Sequence, residues 1–207
     1  MRPLLYHLTQ HLLAPGSGAR IRNRVQALLD YQKLKGDHFL DVGCGPKSLL
    51  AQQAIHPVGL EACPAFVESL RRSGNEAVLG SAAHLPFAGD AFDAVFSFGL
   101  LHHLADDLAS QAILEMKRVT KSGGLTVIFD SVLPLSSVQR PIARMIRALD
   151  RGKYVRTEEQ LRELLSNSQK GCHFERFTYA WTGLEGLFSW QLKSAVLKKA
   201  EDNAHRF

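Results

Sequence analysis

Short apolar runs alternate along the chain with stretches in which apolar residues return every three or four positions. The runs span residues 38–42, 58–61, 77–79, 92–97 and 125–130, and their length predicts five strands. Between them lie segments of helical spacing. Residues 48–54 are the first. Residues 64–73 are the second, with Phe66, Val67 and Leu70 on one face and Gly74 closing it. Residues 106–119 are the third, after which Gly123-Gly124 turns the chain into the fifth strand. Strands separated by helices predict parallel βαβ units. Strand centres that are apolar throughout fit a sheet covered on both faces.

The flanks are patterned differently. Residues 1–18 read as a helix ended by Pro15-Gly16-Ser17-Gly18. Its apolar run is interrupted by His7, Thr9, Gln10 and His11, so a short amphipathic helix is expected rather than a cleaved leader. Residues 19–34 predict a second helix. Beyond the fifth strand, residues 138–149 and 157–166 are helical. Thr157 is placed to cap the latter, with Gln160 at the capping-box position. Residues 173–180 and 187–192 alternate enough for a terminal antiparallel hairpin. The expected architecture is α/β: a Rossmann-like, doubly wound, mostly parallel sheet of about seven strands. It forms one domain over 1–207, with N-terminal helices to 36, a core over 37–130, and a lid or substrate region with the hairpin over 131–207.

Composition narrows the class without changing this picture. The chain has 207 residues, of which 45% are hydrophobic and 22% charged, which is ordinary for a globular domain. No apolar run is long enough to span a bilayer. Cys44, Cys63 and Cys172 form no disulfide framework and no zinc spacing. They suit a reducing cytoplasm, and no metal site is expected. A net charge of +5 permits an acidic partner without identifying one.

The sharpest chemical signal is Phe39-Leu40-Asp41-Val42-Gly43-Cys44-Gly45-Pro46, an apolar strand running into a glycine turn. Gly43 and Gly45 permit a sharp turn and a close approach to a ligand, with backbone N–H groups facing it. A dinucleotide fingerprint would need glycine where Ser48 stands. A phosphate-binding loop is excluded because Pro46 precedes Lys47-Ser48. Glu61 ends the second strand, twenty positions after Asp41. A carboxylate there can accept from both hydroxyls of a ribose, or it is a solvated acid at a strand end.

The segments Leu40-Asp41-Val42-Gly43-Cys44-Gly45-Pro46, Gly59-Leu60-Glu61-Ala62-Cys63-Pro64, Gly80-Ser81-Ala82-Ala83-His84-Leu85-Pro86-Phe87, the run from Phe92 to Leu104, and Lys121-Ser122-Gly123-Gly124 occur in an order that resembles class I methyltransferases using S-adenosylmethionine (SAM). Within them the chain is most similar to the branch containing ubiquinone and menaquinone biosynthesis methyltransferases, over roughly residues 37–130. The resemblance implies SAM as cofactor and a role for each matched residue. Asp41 and the turn Gly43-Cys44-Gly45 would hold the methionine part of SAM, Glu61 the ribose, and Ala62 would lie beside the adenine. Ser81 and Ala82 would contact the adenine edge, and Ser97 and Phe98 would line the pocket below the sulfonium. Two positions depart from the pattern. Ser81 stands where the family often has an acid. Pro46-Lys47 replaces a further glycine, and Lys47 either meets the SAM carboxylate or is solvated.

His102 and His103 follow the fourth strand. One of them can take a proton from an accepting hydroxyl, or the pair only packs and orients its loop. Arg140, Arg144, Arg147 and Arg151 share one helical face. That face reads either as a contact to an anionic membrane or acidic substrate, or as an ordinary solvated surface. Trp181, Phe188 and Trp190 serve either a substrate pocket or core packing. The expected activity is methyl transfer to a small-molecule acceptor, lipid-like, glycosylated or anionic, with no nucleic acid. The alternatives are a nucleic-acid or protein methyltransferase and a non-catalytic SAM-binding regulator. Loss of Glu61 is expected to weaken cofactor binding while leaving the unliganded protein's stability nearly fixed.

Overall fold

The apolar runs at the centre of the sheet form strands because they bury both of their faces. A computed structural model describes residues 14–32, 36–51, 55–135, 143, 145–146, 152–168 and 171–193. Among these, β1 (Phe39–Val42), β2 (Val58–Glu61), β3 (Ala77–Leu79), β4 (Phe92–Phe98), β5 (Thr120–Val132), β6 (His173–Thr178) and β7 (Glu185–Leu192) make one sheet in the order β3-β2-β1-β4-β5-β7-β6. The pairs from β3 through β5 are parallel, and β7 runs antiparallel to both β5 and β6. This is the expected doubly wound sheet with its antiparallel hairpin.

Alternation along the strands supplies two cores. On one face Phe96, Val127 and Phe129 pack with Ile21, Val25 and Leu28 of α1 (Ser17–Gln32), and with Ala143 and Ile146. On the other, Leu40, Val95 and Ile128 pack with Ile113 and Met116 of α3 (Asp106–Val119), and with Leu161 and Leu165 of α4 (Glu158–Ser168). A smaller cluster joins Val67 and Leu70 of α2 (Pro64–Arg72) to Ala77. No helix among the described residues is long and apolar enough to cross a membrane.

Three expectations shift. Of the expected helix 48–54, residues 49–50 are a turn and 51 is 3-10 helical, while 52–54 lie outside the described residues; the Ser48 hydroxyl accepts from the amides of Leu50 and Ala51. Serine favours such local bonds over a helix interior. Strand β5 begins five residues early, because Thr120 pairs with Phe92 before the register jumps to Ala94 and Leu125. Thr120 is held there by hydroxyl bonds to the Met116 carbonyl and to Thr126. The helix expected over 1–18 lies outside the described residues up to position 13, as do Arg140, Arg144, Arg147 and Arg151. The capping box is as expected: the Gln160 amide donates to Thr157 Oγ1 at 3.2 Å, and the Thr157 amide to Gln160 Oε1 at 2.9 Å.

Candidate active site

Because β1 to β5 are parallel, the segments that follow them emerge at one edge. That edge collects most residues singled out in the sequence. Asp41 is fully buried in β1. Its Oδ2 accepts a 2.6 Å bond from the Ser48 hydroxyl, and its Oδ1 has no partner among the described residues. Burial pushes its carboxyl up to about 7; the Ser48 bond opposes this and the nearby Glu61 charge adds to it.

Gly43 opens the turn at φ 69° and donates to the Leu60 carbonyl at 2.8 Å. A side chain there would meet Leu100, whose Cδ1 lies 2.8 Å from where a Cβ would stand. Gly45, at φ 68°, donates to Glu61 Oε2 at 3.0 Å. Glu61 Oε1 accepts from the amides of Ala62 and Cys63 at 2.9 and 3.0 Å. The carboxylate therefore ties the end of β2 to the glycine turn.

Cys44 and Lys47 turn elsewhere. The Cys44 sulfur packs against Gly59 of β2. Burial pushes its thiol far up, and the charges of Asp41 and Glu61 push it further, so it is no nucleophile. Lys47 lines a cleft of about 520 Å³ with His56, Ser69 and Asn75, on the flank facing α2. None of the expected cofactor residues lines that cleft.

Ala62 and Ser81 are exposed and Ala82 is half-buried against the α3-side core. The Ser81 hydroxyl accepts from the Ala83 amide at 3.2 Å, closing its own turn. Ser97 in β4 is buried, and its hydroxyl has no partner among the described residues. Phe98 follows it and stacks on Phe96 at 6.0 Å. Phe188 lies in the core, whereas Trp181 is 76% exposed and holds Arg20 over its ring.

The two histidines separate. His103 is exposed, with its ring 4.1 Å from that of His102. His102 is buried, and its Nδ1 lies 2.5 Å from Asp130 Oδ1, near the end of β5. The His102 amide donates to Asp130 Oδ2 at 3.1 Å. Burial alone would raise the Asp130 carboxyl; the His102 ring and the amides of Ser131 and His102 hold it below the usual carboxylate range. Arg156, also buried, donates to the carbonyls of Leu101 and Leu104 at 2.8 and 2.9 Å and pairs with Asp106, which fixes the turn carrying both histidines. Asp130, Ser48, Leu100 and Arg156 had not been assigned roles from the sequence. Asp130 carries the same signal as Glu61: an acid ending an apolar strand.

The donor set fits SAM. An unpartnered buried carboxylate oxygen suits the cofactor's ammonium, and a left-handed glycine turn gives backbone access. The match to known proteins agrees. Residues 40–128 match the family described as "Methyltransferase domain". A demethylmenaquinone methyltransferase of Thermobifida fusca is 37% identical over 195 residues, covering 88% of this chain and 77% of that protein. The human protein named probable tRNA methyltransferase 9B is 38% identical over 108 residues, covering 51% of this chain. The chain spans about a quarter (24%) of the length of that relative. A SAM-dependent methyltransferase of Thermotoga maritima superposes with a TM-score of 0.70 at 16% identity, covering 92% of this chain and 96% of that one. The chain belongs to the class I SAM-dependent methyltransferases. Among them it is related to the branch of the demethylmenaquinone methyltransferases.

Proposed function

We propose that the chain transfers the methyl group of SAM to a small-molecule acceptor, and that it does so in the cytoplasm. The observation that carries this reading is the extent of the match to the Thermobifida protein: 88% of the chain, flanks included. The flanks are where acceptor choice resides in this reading. Bound SAM supplies an activated methyl group, so the protein's task is chiefly alignment. Asp41 Oδ1 receives the amino group, the turn Gly43-Cys44-Gly45 borders the methionine part, and Glu61 turns from its backbone partners, the Gly45 amide among them, to the ribose. Ala62, Ser81 and Ala82 border the adenine, while Ser97 and Phe98 lie beneath the sulfonium. The arginine face of 140–151 is assigned, from sequence alone, to an acidic acceptor or an anionic membrane surface.

A second reading, methylation of tRNA, is favoured by the 38% identity to the human relative; that match stops at half of this chain. The experiment is incubation with methyl-labelled SAM and, in parallel, a lipid quinol extract and bulk tRNA. Label in the organic phase supports the first reading, and label in tRNA replaces it with the second. SAM binding without transfer to either would make the chain a SAM-binding regulator.

A further inference from the structure

The strand order β3-β2-β1 sets how a ligand spreads along the rim. With its ammonium over β1, at Asp41 Oδ1, and its ribose over β2, at Glu61, the group on the ribose continues toward the segment that leaves β3. That segment is held close to Glu61. Leu79 pairs with Glu61 in the register of β3 and β2, and the Gly80 amide donates to the Glu61 carbonyl at 3.1 Å. The next turn closes on itself: the His84 amide donates to the Ser81 carbonyl at 3.1 Å, and the Ala83 amide to the Ser81 hydroxyl at 3.2 Å. Ser81 is thereby exposed beside Glu61 in a fixed turn. Exposed Ala62 and half-buried Ala82 offer apolar surface to the faces of a base. Neither residues 62–67 nor residues 80–89 contain a carboxylate, and the His84 ring engages the Ala83 carbonyl of its own turn. The polar group offered to the edge of the base is the Ser81 hydroxyl.

We propose that this edge does not select at the purine 6-position, so that the chain takes cofactors with a 6-oxopurine base, such as the inosyl analogue of SAM, as well as those with adenine; this rests on the methyltransferase reading above. A carboxylate at that edge would accept hydrogen bonds and give none. It would select the adenine 6-amino group, a donor, and repel a 6-oxo group, an acceptor. A hydroxyl does both. With one lone pair engaged by the Ala83 amide, Ser81 keeps a second lone pair to accept from a 6-amino group and an O–H to give to a 6-oxo group. Neither base leaves a polar group unpaired. Strong rejection of an analogue requires a buried polar group stranded by it. Ser81 is open to water, which pairs with whatever the base leaves. Ser81 is thus the specificity-determining residue at the purine edge, and what it confers is tolerance. Selection by the cofactor site falls instead on the amino and ribose groups, where Asp41 and Glu61 stand.

The test is calorimetric titration of the full-length protein with S-adenosyl-L-homocysteine and with S-inosyl-L-homocysteine, which differ only at that edge of the purine. The wild type should bind the two within about threefold of each other. Ser81→Asp should favour the adenosyl compound by about tenfold or more, because a hydrogen bond to a charged acceptor is the stronger kind and the 6-oxo group meets a like acceptor. Aspartate also keeps an acceptor for the Ala83 amide, so thermal unfolding of the unliganded variant should match that of the wild type. Ser81→Ala, which removes both the donor and the acceptor, should keep the wild-type ratio. A wild-type preference of about tenfold or more for the adenosyl compound overturns the proposal and leaves the cofactor reading standing. An unchanged ratio in a folded Ser81→Asp variant also overturns it, since Ser81 then does not face the base. Failure of the wild type to bind either compound removes the reading beneath it.

Discussion

The Ser48 hydroxyl donates to Asp41 Oδ2 at 2.6 Å while accepting from the Leu50 and Ala51 amides at 3.2 and 3.4 Å. One oxygen thus joins the buried acid of β1 to the first turn beyond the glycines, and it settles which carboxylate oxygen is left for a ligand.

Affinity for SAM should depend on pH through Asp41. Its carboxyl is raised from the usual range to about 7, so the unliganded protein favours the neutral acid. The stability this group contributes is present at low pH and is lost as pH rises through about 7. An ammonium opposite Oδ1 favours the charged form instead. Calorimetric affinity should therefore rise from about pH 5 to about pH 8. Asp41→Asn should bind more weakly and flatten that rise; an unchanged pH dependence would exclude Asp41 as the ammonium partner.

Gly43→Ala should damage both fold and site. The left-handed backbone costs an alanine about 1–2 kcal/mol, and the new Cβ meets Leu100. The obstruction is a neighbouring side chain, not the ligand. Adding Leu100→Ala should recover the steric part of the loss in thermal unfolding but leave the backbone part.

Glu61→Ala should destabilise the unliganded protein, contrary to the expectation from sequence. The carboxylate accepts from the amides of Gly45, Ala62 and Cys63. Stranding those donors costs about 1–3 kcal/mol, reduced where water reaches them. Glu61→Gln, which keeps an acceptor, should lose less stability yet bind SAM at least about tenfold more weakly than wild type, since charged hydrogen bonds are the stronger ones. Thermal unfolding and titration of both variants separate the two effects.

Arg156 and Asp106 should behave asymmetrically despite forming one ion pair. The Arg156 side chain is 8% exposed and that of Asp106 83%. Asp106→Asn should cost at most about 1 kcal/mol, as exposed partners do. Arg156→Met strips the buried carbonyls of Leu101 and Leu104 of their donor and should cost about 3 kcal/mol. Chemical denaturation would measure both, and equal losses would refute the asymmetry.

The sheet was legible in the sequence because its signals are local. Buried strands read as apolar runs, and the Thr157–Gln160 box reads as a cap wherever it occurs. The grouping of Asp41, the glycine turn and Glu61 at one edge of the sheet was legible because they lie within about twenty positions of one another. The link between His102 and Asp130 was not, since 28 residues separate the two and only the pairing of β4 with β5 brings them together. The turn at Ser48 was missed because its apolar spacing suits a helix, whereas one hydroxyl decides otherwise. The early start of β5 at Thr120 depends on a hydroxyl pair with Thr126, which periodicity does not report.

The terminal hairpin enters the sheet in reverse, between β5 and the edge, so its turn at Tyr179–Leu184 opens at the same rim as the ends of the parallel strands. The segment leaving β5 after Val132 starts from that rim as well. Neither piece supplies any of the residues assigned to the cofactor, which all come from positions before 100. Exchanging the turn at Tyr179–Leu184 would therefore change what borders that rim without removing any residue assigned to the cofactor or the Arg156 support of the histidine turn.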